Sequence, residues 1–231
     1  MASTYVIIVA AGNGSRFGSD TPKQFLELEG KPVAAHAVDA FRNAIPDAEI
    51  ILVLSEGMIP FWQELCEKHG IESPRIATGG ATRWESVKNA LDTIAEAPAN
   101  ATILIHDGAR PLVTEKVITR AAACVRNTDG AIPAIPVSDS LRQLDNDDVR
   151  STPVDRTRFR AVQTPQAFTL WRLREAYSIP YRDTFTDDAS VLAAAGFENI
   201  MLTDGSPENI KITTPVDLLL ASAIIKNRTT R

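Results

Sequence analysis

Cysteine is scarce in this chain, with only Cys66 and Cys124 among 231 residues. Neither has other cysteines or histidines at a metal-binding spacing, so both are interpreted as small residues of a reduced, cytosolic protein. Long apolar runs are also lacking, since none approaches the roughly 20 residues of a membrane span. The first residues have no basic start of the secretory type. We therefore expect a cytoplasmic protein with no membrane partner.

Basic residues are in the minority, because 24 lysines and arginines face 29 acidic residues and leave a formal net charge of −5. A general nucleic-acid-binding protein needs a basic surface, so we expect no nucleic-acid partner. Any small anion must be held by a local cluster of basic groups. Hydrophobic residues make up 44% and charged residues 23%, as in an ordinary globular protein, and the length favours a single domain over 1–231.

Strands and helices are expected to alternate along most of the chain. Short β-branched runs predict buried strands, and apolar positions at helical spacing predict helices. Strands are expected over 5–10, 49–54, 101–105, 131–137, 199–202 and 210–213. Helices are expected over 33–44, 60–69, after a capping box of Thr82 and Glu85, over 114–125, over 187–195 with Thr186 as cap, and from Thr214-Pro215. This order predicts a three-layer, Rossmann-like α/β fold with a mostly parallel sheet. Two prolines place the 131–137 strand at an edge or a bend.

Residues 138–163 break this alternation. The segment is polar, has no helical period and contains a turn-like cluster, so we interpret it as a β-arm of two strands that leaves the main body. Arg156, Arg158 and Arg160 alternate, which on a strand would place them on one face. That face could bind a phosphate, or it could be a charged edge that discourages aggregation.

A glycine-rich loop follows the first strand. Gly12 and Gly14 allow a tight turn with backbone N–H groups close to a ligand, and Arg16 and Lys23 add positive charge. Because open α/β sheets bind ligands at the carboxyl ends of their strands, the loop predicts a phosphate site. Its third glycine, Gly18, is misplaced for the dinucleotide fingerprint, and nothing matches the Walker loop.

The chain resembles the nucleotidyltransferase superfamily, whose first loop reads Ala-Ala-Gly-x-Gly-x-Arg and continues to Pro-Lys. Within it, the chain is similar to the 2-C-methyl-D-erythritol 4-phosphate cytidylyltransferase family. The matching motifs lie in order at 10–16, 21–24, 79–86, 106–111, 137–140, 154–156, 163–166, 186–190 and 208–215. The resemblance implies transfer of a cytidylyl group from CTP to methylerythritol phosphate, with release of pyrophosphate, in non-mevalonate isoprenoid synthesis.

The resemblance also implies roles for individual residues. Arg16, Lys23 and Lys211 would be catalytic, and Asp107 would contact substrate and bind Mg²⁺ or another divalent cation. The second metal carboxylate is assigned to Glu208, with Asp204 as a competitor. His106 would be structural. Nucleotide binding is assigned to Ala10, Ala11, Gly12, Gly14, Gly80, Ala81 and Ser86, and acceptor binding to Ser140, Arg156, Thr164 and Thr186.

In relatives the arm embraces a second subunit, so the resemblance implies a homodimer with shared sites. Two other functions stay open at this point. One is an alditol-phosphate cytidylyltransferase, such as a ribitol 5-phosphate enzyme, with the same CTP site. The other is a non-catalytic nucleotide-binding module, which the retained Arg16, Lys23, Asp107 and Lys211 disfavour.

Overall fold

The structure is a computed structural model that describes residues 3–12, 21–145 and 149–229. Gly14 and Arg16, both predicted in the phosphate loop, lie outside the described residues. The strands are β1 Thr4–Val9, β2 Glu27–Leu28, β3 Lys31–Pro32, β4 Glu49–Leu54, β5 Arg75–Thr78, β6 Thr102–Asp107, β7 Gly130–Pro136, β8 Arg142–Leu144, β9 Ser151–Pro153, β10 Arg160–Val162, β11 Gln166–Thr169 and β12 Ile200–Asp204. The helices are α1 Val33–Ala44, α2 Ile59–His69, α3 Arg83–Asp92, α4 Glu115–Cys124, α5 Leu170–Ala176, α6 Asp188–Ala194 and α7 Pro215–Thr229.

Among the described residues, the main sheet has eight strands, in the order β10-β7-β11-β6-β1-β4-β5 with β12 also paired to β7. Strand β1 lies parallel between β4 and β6, and β4 is parallel to β5. Only β10 and β11 run against their neighbours among these pairings. The prediction of a mostly parallel α/β sheet is therefore confirmed.

Helices cover both faces of this sheet, which gives the three predicted layers. Along β1, Val6 and Ile8 belong to a core with α1, α2 and α4, whereas Ile7 belongs to a core with α3, α5 and α6. All three side chains are fully buried. This division follows from the strand period of two, because successive side chains point to opposite faces. Strand β1 is apolar on both faces because both are covered.

Strand β7 is interior, so of the two predicted alternatives, a sheet edge or a bend, the edge was wrong. It pairs with β10 and β11 and with β12. The carbonyl of Pro133 accepts from the N–H of Gln163, which lies between β10 and β11. The N–H and C=O of one strand residue point to the same side, so the donor that Pro133 lacks faces this break in the neighbouring strand. An interior strand therefore tolerates the proline.

The segment predicted as an arm forms a separate two-stranded sheet. Strands β8 and β9 pair with each other and with no other described strand. The end of the range 138–163 belongs to the main sheet instead, since β10 pairs with β7. A 3-10 turn holds Arg156–Arg158, and Arg160 lies in β10. The predicted common strand face of three arginines was therefore wrong.

Two local predictions near the carboxyl end were also wrong. Residues 210–213 form no strand, because their described backbone bonding is limited to Ile212, whose N–H donates to Ala109, and Thr213, whose N–H donates to Asp217. Helix α6 is capped by Asp187 rather than Thr186, in a capping box with Ser190.

The two cysteines pack among the apolar side chains of one core. Both are free thiols; Cys66 is buried and Cys124 half-buried. No helix in the described ranges is both long enough and apolar enough to cross a membrane.

Gly130 is required by the packing of β7 on β11. A Cβ atom at this position would lie 2.5 Å from Cε1 of Phe168, which is fully buried. We predict that Gly130→Ala lowers the free energy of unfolding by about 1–3 kcal/mol through overpacking. Gly57→Ala is the matched control, because a Cβ there meets nothing within 4 Å. Denaturant unfolding of both variants checks this, and equal stabilities would contradict it.

Candidate active site

A cavity of about 310 Å³ opens at the carboxyl ends of β1 and β6. Its lining comes from segments that are distant in the sequence: Val9, Ala10, Ala11, Gly12, Lys23, Gln24, Gly80, Ala81, Thr82, Arg83, Ser86, Asp107, Ala109 and Lys211. This is the edge at which α/β sheets bind ligands. The described residues that the sequence assigned to catalysis and nucleotide binding all line this cavity.

Gln24 holds the end of β1 in place. Its side-chain amide donates to the carbonyls of Ala10, at 2.7 Å, and Gly12, at 2.9 Å. The N–H of Ala10 donates in turn to Val53 of the neighbouring strand β4. Gln24 and Lys23 share one 3-10 turn, so the bonds from Gln24 also fix Lys23 beside the cavity. The loop entrance is thereby preorganised without a ligand.

The opposite wall is the turn that leads into α3. Thr82 and Glu85 form the predicted capping box, each bonding the other's backbone N–H. The Ser86 hydroxyl accepts from Gly80 N–H at 3.1 Å and donates to Thr82 C=O at 2.9 Å. A Cβ on Gly80 would lie 2.4 Å from Cβ of Glu85, so only glycine allows this approach. Ser86 therefore shapes the wall, and its hydroxyl hydrogen is already used.

Backbone groups remain for a ligand at this wall. In the part of the chain that the structure describes, the main-chain atoms of Ala11 and Ala81 make no hydrogen bond. Both residues line the cavity. A ring with donors and acceptors could therefore be recognised by main-chain groups.

Asp107 lies at the centre of the site, at the end of the fully buried strand β6. Its carboxylate is 2.9 Å from Nζ of Lys211 and 3.4 Å from Nε of Arg110. Nε of Arg83 lies 3.6 Å away on the other oxygen. Burial alone would raise the pKa of the Asp107 carboxyl, but Arg83, Lys211 and Arg110 together hold it well below its usual range. Asp107 is therefore an anion at neutral pH.

His106 and Thr164 fix the backbone at Asp107. Nε2 of His106 faces the carbonyl of Arg110 at 3.0 Å, so this nitrogen carries the hydrogen. Burial lowers the pKa of His106 to about 4, so the ring is neutral and Nδ1 accepts from the Thr164 hydroxyl. The Thr164 oxygen accepts in turn from the N–H of Asp107. His106 is thus structural, as expected, and the hydroxyl hydrogen of Thr164 is used internally.

A second cavity, of about 240 Å³, adjoins the first. It is lined by Arg83, Asp107, Arg110, Val162, Gln163, Thr164, Gln166, Thr186, Asp187 and Lys211. Arg83, Asp107 and Lys211 line both cavities. Thr164 and Thr186, predicted on the acceptor side, lie here. The two cavities therefore meet at one cluster of charged side chains.

Three of the predicted site residues that the structure describes lie outside both cavities. Ser140 and Arg156 are exposed and line neither cavity, and Arg156 contacts the backbone carbonyl of Ser138. The carboxylate of Glu208 is bound by Arg228, at 2.8 and 3.0 Å from its nitrogens, and Glu208 lines neither cavity. The assignment of Glu208 to a metal stays a prediction. Its predicted competitor Asp204 is paired with Arg120.

Sequence reasoning missed residues that the structure brings into the site. Arg83 lies in the matching motif at 79–86, Arg110 in that at 106–111 and Gln24 in that at 21–24, but the sequence predicted no role for any of them. Arg110 donates to the carbonyl of Asn209 at 2.8 Å and so holds the segment before Lys211. The available signal was the placement of these residues inside motifs that also contain predicted ligands.

Comparison with known proteins identifies the family. The family model described as 2-C-methyl-D-erythritol 4-phosphate cytidylyltransferase matches residues 4–227. The chain belongs to this family. A relative of that name from Bacteroides thetaiotaomicron is 45% identical over 221 residues, which cover 95% of this chain and 98% of the relative. Another, from Azobacteroides pseudotrichonymphae, is 43% identical over 226 residues, covering 97% of this chain and all of the relative.

Solved structures in this family share the fold. The 2-C-methyl-D-erythritol 4-phosphate cytidylyltransferase of Thermus thermophilus is 30% identical, with a TM-score of 0.73 over 98% of this chain and 100% of the other. The 4-diphosphocytidyl-2C-methyl-D-erythritol synthase of Anaerococcus prevotii is 25% identical, with a TM-score of 0.81 over 97% and 99%. The expected resemblance is therefore confirmed across nearly the whole chain.

The charge balance around Asp107 predicts a stability effect. Asp107→Asn leaves Arg83, Arg110 and Lys211 facing one another without the carboxylate. We expect the free energy of unfolding to fall by about 1–3 kcal/mol. This loss is smaller than for breaking a fully buried ion pair, because the side chains of Lys211 and Arg83 are partly exposed to solvent. Asp204→Asn is the control, since its side chain is 88% exposed in its pair with Arg120. Thermal unfolding at low and high salt measures both, and an equally small effect would contradict the prediction.

Proposed function

We propose that this chain transfers the cytidylyl group from CTP to 2-C-methyl-D-erythritol 4-phosphate, giving CDP-methylerythritol and pyrophosphate in non-mevalonate isoprenoid synthesis. The observation that carries the proposal is the junction of two cavities at Arg83, Asp107 and Lys211. One cavity takes the triphosphate and the other the sugar phosphate. Membership of the family supplies the identity of both substrates.

The reaction needs positioning and charge more than covalent chemistry. An oxygen of the acceptor phosphate attacks the α-phosphorus of CTP in line and forms the new O–P bond. The bond from the α-phosphorus to the bridging oxygen breaks, and pyrophosphate leaves with that electron pair. The acceptor phosphate is ionised, so no general base is required. Lys23 and Lys211, together with Arg16 by family resemblance, would stabilise the charge that builds up.

A divalent cation, by preference Mg²⁺, fits this site if substrate phosphates supply part of its coordination. Within the described ranges, no group of three or more acidic, histidine or cysteine residues forms a ready-made metal site. Mg²⁺ is commonly held by one or two carboxylates together with substrate phosphates and water. Asp107 would supply the carboxylate, and the cation would neutralise charge on the triphosphate. Glu208, the second carboxylate that the resemblance implies, is bound by Arg228 in this structure and would have to release that partner to reach the cation.

Base selection would rest on main-chain groups. Among the described residues, the main-chain groups of Ala11 and Ala81 have no hydrogen-bond partner, and both residues line the cavity. The amine of cytosine can donate to a backbone carbonyl. Ser86 acts by fixing this wall.

On the acceptor side, the internal bonding of Thr164 limits its partner. Its hydrogen is donated to His106, so its oxygen can only accept a further bond. The phosphate group of the acceptor substrate can only accept hydrogen bonds, whereas a hydroxyl group of that substrate can donate one. Thr164 would therefore contact a hydroxyl group of the substrate, and Thr186 lies on the same wall.

The arm supports a homodimer with shared active sites. Ser140 and Arg156 belong to the acceptor site by family resemblance, yet they line neither cavity of their own chain. Exposed apolar side chains of the arm region, including Leu144 and Phe159, would be buried by a partner. We propose that the arm of one protomer completes the acceptor cavity of the other, and that the enzyme works in the cytoplasm.

The proposed reaction predicts pyrophosphate release that depends on the acceptor. Purified protein with CTP and Mg²⁺ should release pyrophosphate with 2-C-methyl-D-erythritol 4-phosphate at least about tenfold faster than with ribitol 5-phosphate, by kcat/KM. EDTA should abolish the release. A preference for ribitol 5-phosphate would replace the acceptor. Tight CTP binding without release for any polyol phosphate would favour a non-catalytic module.

The shared site predicts complementation between two inactive variants. Arg156→Ala removes the arm contact and Lys211→Ala removes the cavity contact. A mixed dimer has one site with neither change and one site with both, so the purified mixed dimer should have about half of wild-type activity. Co-expression with two affinity tags and purification of the mixed dimer measures this.

The control for complementation is Lys23→Ala mixed with Lys211→Ala. Both changes lie in the same cavity, so every site in a mixed dimer carries one of them and activity should stay low. No recovery with Arg156→Ala and Lys211→Ala would show that each chain holds its own complete site. Recovery in the control would contradict the placement of Lys23 and Lys211 in one site.

A further inference from the structure

Arg83 is held by a buried carboxylate that the proposed mechanism does not use. Its Nη1 and Nη2 donate to the two oxygens of Asp188 at 2.9 and 2.6 Å. The Asp188 side chain is fully buried, whereas that of Arg83 is 29% exposed. The Tyr177 hydroxyl donates to the same carboxylate at 2.6 Å. The anchor is therefore rigid and the guanidinium still faces solvent.

The geometry leaves one side of the guanidinium available. The end-on pair with Asp188 uses one hydrogen on each terminal nitrogen, and Nε–H with a second terminal hydrogen forms another fork. Nε faces Asp107, but at 3.6 Å, which is too long for a hydrogen bond. A phosphate could take this second fork without displacing Asp188, since Arg matches two phosphate oxygens at once.

The pair also joins the two walls of the site. Arg83 is the first residue of α3, directly after the Thr82 cap, and Asp188 is the first residue of α6, directly after the Asp187 cap. The α3 turn shapes the nucleotide cavity, and the start of α6 shapes the acceptor cavity. Next to this pair, the ring of Trp84 stacks on the ring of Tyr177, with 5.5 Å between the ring centroids. Arg83 thus stands where the two ligands must meet.

We infer that Arg83 binds phosphate at the junction of the two cavities, and that Asp188 is a positioning residue that aims its guanidinium. This inference rests on the proposed function for the identity of the substrates. Arg83 would contact a phosphate oxygen through Nε–H and Nη2–H while Asp188 holds the opposite edge of the same plane. Charge and plane are both needed, so lysine cannot replace arginine here.

The test compares Arg83→Gln, Arg83→Lys, Asp188→Asn and the double variant Arg83→Gln with Asp188→Asn. We expect kcat/KM to fall about 10²-fold for Arg83→Gln, as for loss of one preorganised donor. Arg83→Lys keeps a cation beside Asp188 and should fold, yet lose about tenfold or more. Asp188→Asn should lose about 10-fold, and the double variant should equal Arg83→Gln because Asp188 acts through Arg83.

Calorimetric titrations with CTP and, separately, with methylerythritol phosphate need no turnover. At least one affinity should fall in Arg83→Gln and Arg83→Lys. If the wild type releases no pyrophosphate with any acceptor, the proposed function fails, while lower CTP affinity in the Arg83 variants still supports the phosphate role. If the wild type is active, the proposed function stands, and the variants then test only the role of Arg83 in binding phosphate.

Arg172→Gln is the matched control, because Arg172 forms a similarly buried pair with Asp129, at 3.0 Å, and lines neither cavity. It should lose stability and keep kcat/KM. The inference is overturned if Arg83→Gln behaves in the same way, with both affinities and kcat/KM near wild type. Additive losses in the double variant would equally overturn the positioning role of Asp188.

Discussion

The site depends on one buried carboxylate that is shared by several basic side chains. Asp107 ends a fully buried strand, and Arg83, Arg110 and Lys211 converge on it from three separate segments. A charge in this position would be costly without partners, because burial opposes ionisation. The carboxylate in turn allows three cations to lie close together. Folding therefore brings these cations together in advance around one anion, which is an arrangement suited to the substrate phosphates of the proposed reaction.

Hydrogen bonds behind the charged groups make this arrangement rigid. His106 and Thr164 fix the backbone of Asp107, and Gln24 fixes the end of β1. These side chains have used their polar hydrogens internally, so they have none left to donate to a substrate. Preorganised donors are most effective in catalysis when no rearrangement is needed as charge develops. The bonds of His106, Thr164 and Gln24 thus hold the backbone around the site in place before any ligand binds.

Much of the fold could be predicted because its signals are local. The run at β1, the helical spacing of α1 and the Thr82–Glu85 capping box each lie within a few residues, and all three were confirmed. The contacts that the sequence did not reveal mostly join residues that are distant in the chain. Arg83 meets Asp188 across 105 residues, and no local pattern announces that pair. Residues 210–213 look like a strand by composition, but their backbone groups bond to Ala109 and Asp217 instead of a neighbouring strand.

The contrast between net charge and local charge explains how an acidic protein can choose small phosphates. The formal net charge is −5, so the overall field repels extended polyanions such as nucleic acids. Screening at physiological salt limits that field to about 8 Å, whereas direct contacts in a recessed site are screened much less. A small phosphate ester that reaches the junction therefore meets Arg83 and Lys211 at close range, while most acidic residues act from too far away to matter. The proposed preference for small phosphate esters therefore depends on where the cations lie rather than on how many there are.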